Sequence, residues 1–483
     1  MINKQLIYIA VMAGGMMMAS CTKFLDVTPK GKDTPRTLEQ YNGLLNSSNL
    51  INYSDVAQNA DGSFIIKGGA DMSVMMGDDM ITDSVYLSQL DLSYLNGYTW
   101  KSNIYQADAD AIEWGAFYGQ NYTYNVIAND VMDVADDNLQ KKKQLLAEAR
   151  VGRALMHFML LNYFAKPYDP ATAATDPGVP LVTTANAVAS GFKRARVQEV
   201  YDFVVNELLS AIPDLPEITP MRLRMGKSAG NYILGQVYLT MGKYDQALMA
   251  LEQCKTALAN SVVPIQFNDY NKLMSTWTSP VMPSFGAFNM PQLYDNQESI
   301  YLKQVSLLNF IFSNAGMISP SASAKFDPAD LRLKFYYAAD YFTGGTKLPY
   351  PLHNSPFGIN MGASLPGLYL MLAECKARTG DLTGATADLI TLRSNRLPAA
   401  NAGVTATTKD DLIRFVIDER LREYACTGMR WFDMRRLSTD PLFKNVTYTH
   451  QIGTATFTLP KERLTLKIPP KILMLNPGME DNP

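Results

Sequence analysis

Residues 231–254 read NYILGQVYLTMGKYDQALMALEQC, and their small and apolar side chains follow the spacing of a tetratricopeptide repeat. The matching positions are Leu234, Gly235, Tyr238, Gly242, Tyr244, Ala247 and Leu251. Gly235 and Ala247 predict two antiparallel helices in close approach, with Tyr238 and Leu251 filling the space between them. Gly242 is placed to end the first helix. This stretch therefore predicts an α-helical frame of paired helices.

Other parts of the chain carry the same helical signal. A second copy of the repeat covers residues 367–392, and residues 141–164 form a long amphipathic pattern. Thr408 with Asp411 predicts a capped helix from about Lys409 to Cys426, with Gly428 as its end. We expect tetratricopeptide-like helices near 120–165, 195–260, 364–395 and 408–427. The long Gly-, Pro- and Asn-rich connections between them are typical of functional loops.

Composition limits the possible functions. The chain has 483 residues, with Lys+Arg 43 and Asp+Glu 46, so its net charge is −3. This balance argues against nucleic-acid binding, which needs clustered positive charge. With 47% apolar residues the chain can bury a large core.

The first residues have the features of a secretory signal. Lys4 precedes LIYIAVMAGGMMMAS, and Cys21 follows directly, as in a bacterial lipobox. We expect a signal peptide at 1–20 and a single domain at 21–483, lipidated at Cys21; an ordinary signal peptide with a nearby Cys is the alternative. The remaining cysteines lie in apolar helical stretches and are expected to be buried: Cys254, Cys375 and Cys426.

Several motifs, in order, resemble the SusD/RagB family of outer-membrane lipoproteins that capture nutrients. After Cys21 come FLDVTPKG, then WGAFYGQNYTYNVIAND from residue 114 and AEARVGRALMHFMLLNYFAKPY from residue 147. GVPLV, YDFVVNELLSAIPDLP, the two repeats, IDERLREYACTGMRWFDMRRL and the closing LKIPPKILMLNPGMEDNP complete the series. The resemblance covers nearly the whole chain.

The resemblance implies a mainly α, SusD-like fold with a loop-rich half that carries short strands. It implies no enzymatic activity and no cofactor. It also implies a location at the outer membrane, facing the cell surface, beside a SusC-like TonB-dependent transporter. The ligand would be an oligosaccharide, captured for import through that transporter.

Aromatic residues in two loop-rich segments, 46–110 and 264–365, are the predicted ligand contacts. Sugars stack their C–H faces on exposed rings and leave their hydroxyls for Asp and Asn side chains. The predicted ligand-binding residues are Tyr98, Trp100, Asn103, Asp79, Trp277 and Tyr294. Each ring could instead fill a small core within its own loop. The Asp and Asn side chains of these loops could instead hold a calcium ion through their oxygens, but no spacing is EF-hand-like, so no metal site is expected.

Charged and histidine residues elsewhere are interpreted as structural. Glu419 and Glu423 lie on one helical face, where they could bridge to Arg430 or Arg435, and His157 lies inside a helix. Three alternative functions remain: capture of peptides, as in a RagB-like branch of the family, a tetratricopeptide scaffold for another protein, and a secreted glycan-cleaving enzyme. The last would need two converging carboxylates.

Overall fold

The computed structural model describes residues 35–58, 64–219, 221–275, 296–306, 310, 313–339, 347–353 and 358–483. Within these ranges the chain is mainly α-helical, as predicted. The helices of the described part are α1 Leu38–Leu45, α2 Ser48–Ile51, α3 Met72–Met76, α4 Ser84–Leu87, α5 Leu92–Tyr98, α6 Ile112–Asp130, α7 Leu139–Phe164, α8 Val197–Ala211, α9 Lys227–Thr240, α10 Tyr244–Leu258, α11 Tyr270–Ser275, α12 Pro320–Ser323, α13 Leu365–Thr379, α14 Leu382–Arg393, α15 Lys409–Tyr424, α16 Met429–Leu437 and α17 Pro470–Leu475.

The helix pair predicted from residues 231–254 is present as α9 and α10, which pack against each other. A Cβ atom at Gly235 would lie 2.6 Å from the side chain of Leu251, so glycine permits the close approach. Gly242 follows α9 with φ +70, a conformation that favours glycine. Helices α13 and α14 form the second predicted pair, with Gly380 at φ +100 between them.

Helix α7 lies at the centre of the core. Its side chains are buried almost without interruption from Leu145 to Phe164, and it packs against α6 and α8. His157 is fully buried within it, as predicted. Burial on all sides explains why this helix carries apolar residues around most of its circumference.

The predicted cap of α15 is confirmed, since the Thr408 hydroxyl accepts a hydrogen bond from the backbone N–H of Asp411 at 3.2 Å. The prediction that Gly428 ends this helix is wrong. The helix ends at Tyr424, Cys426 adopts φ 60, and Gly428 is the N-cap of α16 with φ +87. Residues 425–428 thus form a short turn between α15 and α16, and Gly428 precedes the second helix instead of ending the first.

Short strands occur within the loop-rich segments, as predicted, and two more lie near residue 450. They are β1 Ser54–Gln58, β2 Phe64–Gly69, β3 Met80–Ile81, β4 Ser299–Tyr301, β5 Gln304–Ser306, β6 Met317–Ile318, β7 Tyr336–Ala339, β8 Lys347–His353, β9 Gly358–Asn360, β10 Ala363–Ser364, β11 Thr449–Ile452 and β12 Ala455–Thr458. The largest sheet has the order β3-β6-β8-β7, and the other strands pair antiparallel in twos. Strands from distant parts of the chain thus pair with one another and connect the loop-rich segments.

The three cysteines Cys254, Cys375 and Cys426 are buried thiols, as expected. Cys21 lies outside the described residues. Among the described helices, none combines the length and the apolar character needed to span a membrane.

Candidate ligand-binding site

Tyr98 and Trp100, the two aromatic residues predicted to contact a ligand from the first loop-rich segment, are buried. The exposed fractions of Tyr98 and Trp100 are 0% and 4%, so the expectation of an open aromatic platform is wrong for these two residues. Both rings stack on His450, Tyr98 at a centroid distance of 4.1 Å and Trp100 at 4.0 Å. Because both contacts are nearly parallel, the two rings lie on opposite faces of the imidazole.

Hydrogen bonds fix this aromatic stack (Tyr98, Trp100 and His450) from its edges. The indole Nε1 of Trp100 donates to the carbonyl of Met76 at 3.2 Å. The imidazole nitrogens of His450 lie 2.7 Å from the carbonyl oxygen of Tyr98 and 2.8 Å from that of Gly77. Burial lowers the pKa of His450. The stack therefore ties strand β11 to the segment around α5, and it is part of the core.

Asp79, another predicted ligand contact, is also internal, with 1% of its surface exposed. Its Oδ2 accepts a hydrogen bond from the backbone N–H of Cys426 at 2.8 Å. Its Oδ1 has no hydrogen-bond partner among the described residues. Burial and the neighbouring charge of Asp78 raise the pKa of Asp79 to about 7. A ligand at the surface would therefore not reach this carboxyl group, which corrects the prediction.

The other predicted contacts have different outcomes. Asn103 lies on an exposed loop after the stack, where a ligand could reach it. Trp277 and Tyr294 lie outside the described residues, so their predicted role stays a prediction.

A cleft of about 880 Å³ opens beside the first turn of α5. We call it the α5–α6 cleft. Its lining comes from the chain segments 49–53, 71–72, 89–94, 105–113 and 115–123. A cleft of this volume is in the range of small-ligand sites. No sequence pattern joins these segments, although Tyr94 and Tyr105 both belong to the aromatic stretch 93–105 that contains predicted ligand contacts.

The inner wall of the α5–α6 cleft pairs tyrosines with carboxylates. The Tyr94 hydroxyl donates to Asp71 at 2.9 Å, and the Tyr105 hydroxyl donates to Glu113 at 2.6 Å. Glu113 also accepts from the backbone N–H of Met72 at 3.1 Å, and its burial raises its pKa. These bonds hold the two phenol rings at fixed positions along the wall.

The floor of the α5–α6 cleft is one face of helix α6. Gly115 and Gly119 are exposed there, and a Cβ atom at either position would contact nothing within 4 Å. Beside Gly119, the Gln120 amide donates to the carbonyls of Asn49 and Asn52 at 2.8 and 2.9 Å. The floor is thus open, and the Gln120 side chain fixes the backbone of the neighbouring wall at Asn49 and Asn52.

The outer lining is polar and reaches solvent. Asn49, Gln89, Asp91 and Asp110 are exposed, and Ser93 is half-buried. Carboxylates, amides and hydroxyls of this kind form hydrogen bonds with the hydroxyls of a polar ligand. The geometry therefore offers flat surfaces and a polar rim within one concave site.

The charged cluster near residue 419 is structural, as interpreted from the sequence, but its partners differ from those expected. Glu419 is paired with Arg332, Arg393 and Arg422 at 2.7, 2.6 and 2.7 Å. Two further residues correct the prediction: Arg430 pairs with Asp78 at 2.6 Å, and Arg435 donates to the carbonyl of Ala165. Three neighbouring guanidinium groups hold the pKa of Glu419 far below its ordinary value, against the effect of burial.

Within the described ranges, no group of three or more His, Cys, Asp or Glu residues is placed to hold a metal ion. The buried carboxylates Glu374, Glu419 and Asp433 are instead paired with arginine side chains. We therefore assign no metal-ligand set to the described part of the α5–α6 cleft.

Sequence comparisons define the family of the chain. A family model described as "Starch-binding associating with outer membrane" matches residues 23–239, and a model of the SusD family matches residues 367–483. The chain therefore belongs to the SusD/RagB family. No curated protein matches the chain by sequence.

Solved structures share the fold across nearly the whole chain. A SusD superfamily protein from Bacteroides thetaiotaomicron has a TM-score of 0.71 and 17% identity over 92% of this chain and 100% of its own. One from Bacteroides vulgatus has a TM-score of 0.68 and 21% identity over 93% and 99%. A laminarin-binding SusD-like protein has a TM-score of 0.57 and 19% identity over 92% and 99%. The predicted mainly α, SusD-like fold is confirmed.

Proposed function

We propose that this protein captures glycans at the outer membrane and passes them to a SusC-type TonB-dependent transporter. Two comparisons with other proteins support the proposal. The matching family is described as starch-binding and associated with the outer membrane, and one similar structure is that of a laminarin-binding protein. No covalent chemistry is part of this function.

The observation that carries the proposal is the lining of the α5–α6 cleft. A sugar presents flat C–H faces and many hydroxyls, so a site for it needs flat surfaces beside hydrogen-bonding groups. The bare floor at Gly115 and Gly119 lets a sugar ring approach the helix backbone, while Tyr94 and Tyr105, which are only 6% and 7% exposed, shape the wall and are not proposed as stacking surfaces. The exposed polar rim supplies donors and acceptors for the hydroxyls.

The remaining predicted contacts, Asn103, Trp277 and Tyr294, stay part of the proposal as ligand contacts from the two loop-rich segments. Asn103 is exposed on the loop that follows α5, and Trp277 and Tyr294 belong to the second loop-rich segment of the sequence. Lipid at Cys21 would tether the protein beside its transporter. Tethering raises the effective concentration of captured glycan at the pore, so modest affinity is sufficient.

A binding screen of the purified protein against pools of oligosaccharides and peptides tests the proposal. We expect binding from the oligosaccharide pool, and a double variant with Asn49→Ala and Gln89→Ala should weaken it by about 30-fold, since each lost hydrogen bond is worth roughly 1 kcal/mol. Gln140→Ala, an exposed amide outside the cleft, is the matched control. Binding from the peptide pool alone would favour the RagB-like alternative and contradict glycan capture.

The lipid anchor and the transporter are tested separately. Mass spectrometry of the mature N-terminus should show acylated Cys21, and Cys21→Ala should release the protein from the outer membrane. Co-purification from solubilised membranes should recover a TonB-dependent transporter with the lipidated protein. Unmodified Cys21 in a membrane-free protein would contradict this part of the proposal.

A further inference from the structure

Charge is distributed unevenly around the α5–α6 cleft. Its lining includes four carboxylates, Asp71, Asp91, Asp110 and Glu113. Among the described residues that line it there is no Lys, Arg or His. We infer that the cleft accepts uncharged glycans and rejects those that carry carboxylate or sulfate groups. This inference rests on the proposed function and names the ligand class of the same site.

The two exposed carboxylates carry the discrimination. Asp91 is at the N-cap of α5, where its Oδ1 accepts from the backbone N–H of Ser93 at 2.8 Å. Asp110 lies at the rim and is paired with Lys471 at 2.6 Å, in contact with solvent. Both can accept hydrogen bonds from sugar hydroxyls, and both repel a negatively charged substituent. Because Lys471 offsets part of the charge of Asp110, Asp91 contributes more of the repulsion.

The two buried carboxylates do not reverse this preference. Asp71 and Glu113 accept hydrogen bonds from tyrosine hydroxyls, which are neutral. Neither bond brings a positively charged group to the wall. Burial also raises the pKa of Glu113, and a carboxyl group in either protonation state adds no positive charge to the wall. An anionic ligand therefore finds no counter-charge on this side of the cleft.

Lys303 is the basic residue directly behind the wall, and it does not face the ligand. Its side chain is fully buried, and its ammonium group donates to the carbonyl of Leu50, to Gln120 at 2.8 Å and to the Tyr124 hydroxyl at 3.0 Å. Burial lowers its pKa well below the ordinary value. Its donor capacity is used inside the protein, so it cannot neutralise a bound anion.

A matched pair of ligands tests the inference by isothermal titration calorimetry. One ligand is the neutral oligosaccharide that binds in the screen, and the other is the same molecule with its primary hydroxyls oxidised to carboxylates. At low salt we expect the oxidised ligand to bind about 5-fold more weakly, mostly because of Asp91. In roughly 0.5 M salt, which screens charge repulsion, the ratio of the two affinities should fall. The remaining difference should be roughly that caused by the loss of the hydroxyl groups alone.

Variants separate charge from the loss of hydroxyls. Asp91→Asn and Asp110→Asn together should reduce the affinity ratio to about 2-fold, since asparagine keeps the shape and removes the charge. Asp137→Asn, exposed and outside the cleft, should leave the ratio unchanged. Equal or tighter binding of the oxidised ligand, or a ratio insensitive to both variants and salt, would overturn the inference while glycan capture stands. Binding of no oligosaccharide at all would instead refute the proposed function.

Discussion

Replacement of Asp79 by asparagine should stabilise the protein at alkaline pH. The side chain is buried, its Oδ1 has no hydrogen-bond partner among the described residues, and its pKa is raised to about 7 by burial and by Asp78. In the unfolded chain the same group ionises near its ordinary value of 3.8. The folded state therefore binds this proton more tightly than the unfolded state, and stability is lost as the pH rises from about 4 to 7.

The size of the effect follows from the pKa difference. Each pKa unit corresponds to about 1.4 kcal/mol, so ionisation of Asp79 destabilises the wild type by about 4 kcal/mol at pH 8, about 2 kcal/mol at pH 5 and close to zero at pH 3. The asparagine of the Asp79→Asn variant has nearly the same shape, carries no charge and can still accept from the Cys426 N–H. At an entropy of unfolding of about 1 kcal/mol/K for a chain of this length, the difference at pH 8 corresponds to a rise in Tm of about 4 °C.

Calorimetric unfolding of wild type and Asp79→Asn at pH 3, 5 and 8 measures this difference. The stability gain of the variant should grow with pH. Asp137→Asn, an exposed carboxylate, is the control and should change Tm little at any of the three values. A gain that does not depend on pH, or a loss at pH 8, would refute the account of Asp79 as a buried and disfavoured carboxylate.

Three more substitutions test the core and the cleft. Gly119→Ala should stabilise helix α6 by about 0.5–1 kcal/mol in denaturant unfolding, yet weaken glycan binding, because its methyl group enters the cleft. Burial lowers the pKa of His157 to about 4, so the unfolded chain takes up the proton first as the pH falls, and the wild type loses about 3 kcal/mol of unfolding free energy between pH 6.5 and 4. His157→Gln should abolish this loss. Equal pH profiles of the two proteins would contradict the prediction. Glu419→Gln should cost about 3–5 kcal/mol of unfolding free energy in the same denaturant titrations, because Arg393 and Arg422 would stay buried without the carboxylate that pairs with them.

The helical frame could be predicted from the sequence because its signals are local. The tetratricopeptide spacing at 231–254 and the Thr408 cap each depend on residues within a few turns of one another. Periodicity and capping act over this range, so the pattern identifies the helix pair before any tertiary contact is known.

The burial of Trp100 could not be predicted in this way. Its stacking partner, His450, is about 350 residues further along the chain, and no pattern near either residue signals the contact. A loop tryptophan beside polar residues has the same local sequence whether it faces solvent or a distant strand. The site prediction thus failed where ring exposure depends on a long-range contact.

Some glycines within the helices are required by packing, and others are not. At Gly152 a Cβ atom would lie 2.2 Å from the Tyr124 ring, and at Gly235 it would lie 2.6 Å from Leu251, so the fold itself requires glycine at both positions. At Gly115 and Gly119 the same atom would contact nothing, although a glycine inside a helix costs roughly 0.5–1 kcal/mol relative to alanine. Packing does not explain the glycine at these two positions, nor at Gly43 of α1, which is equally open; the proposed glycan site supplies a reason for the two that line the cleft, Gly115 and Gly119.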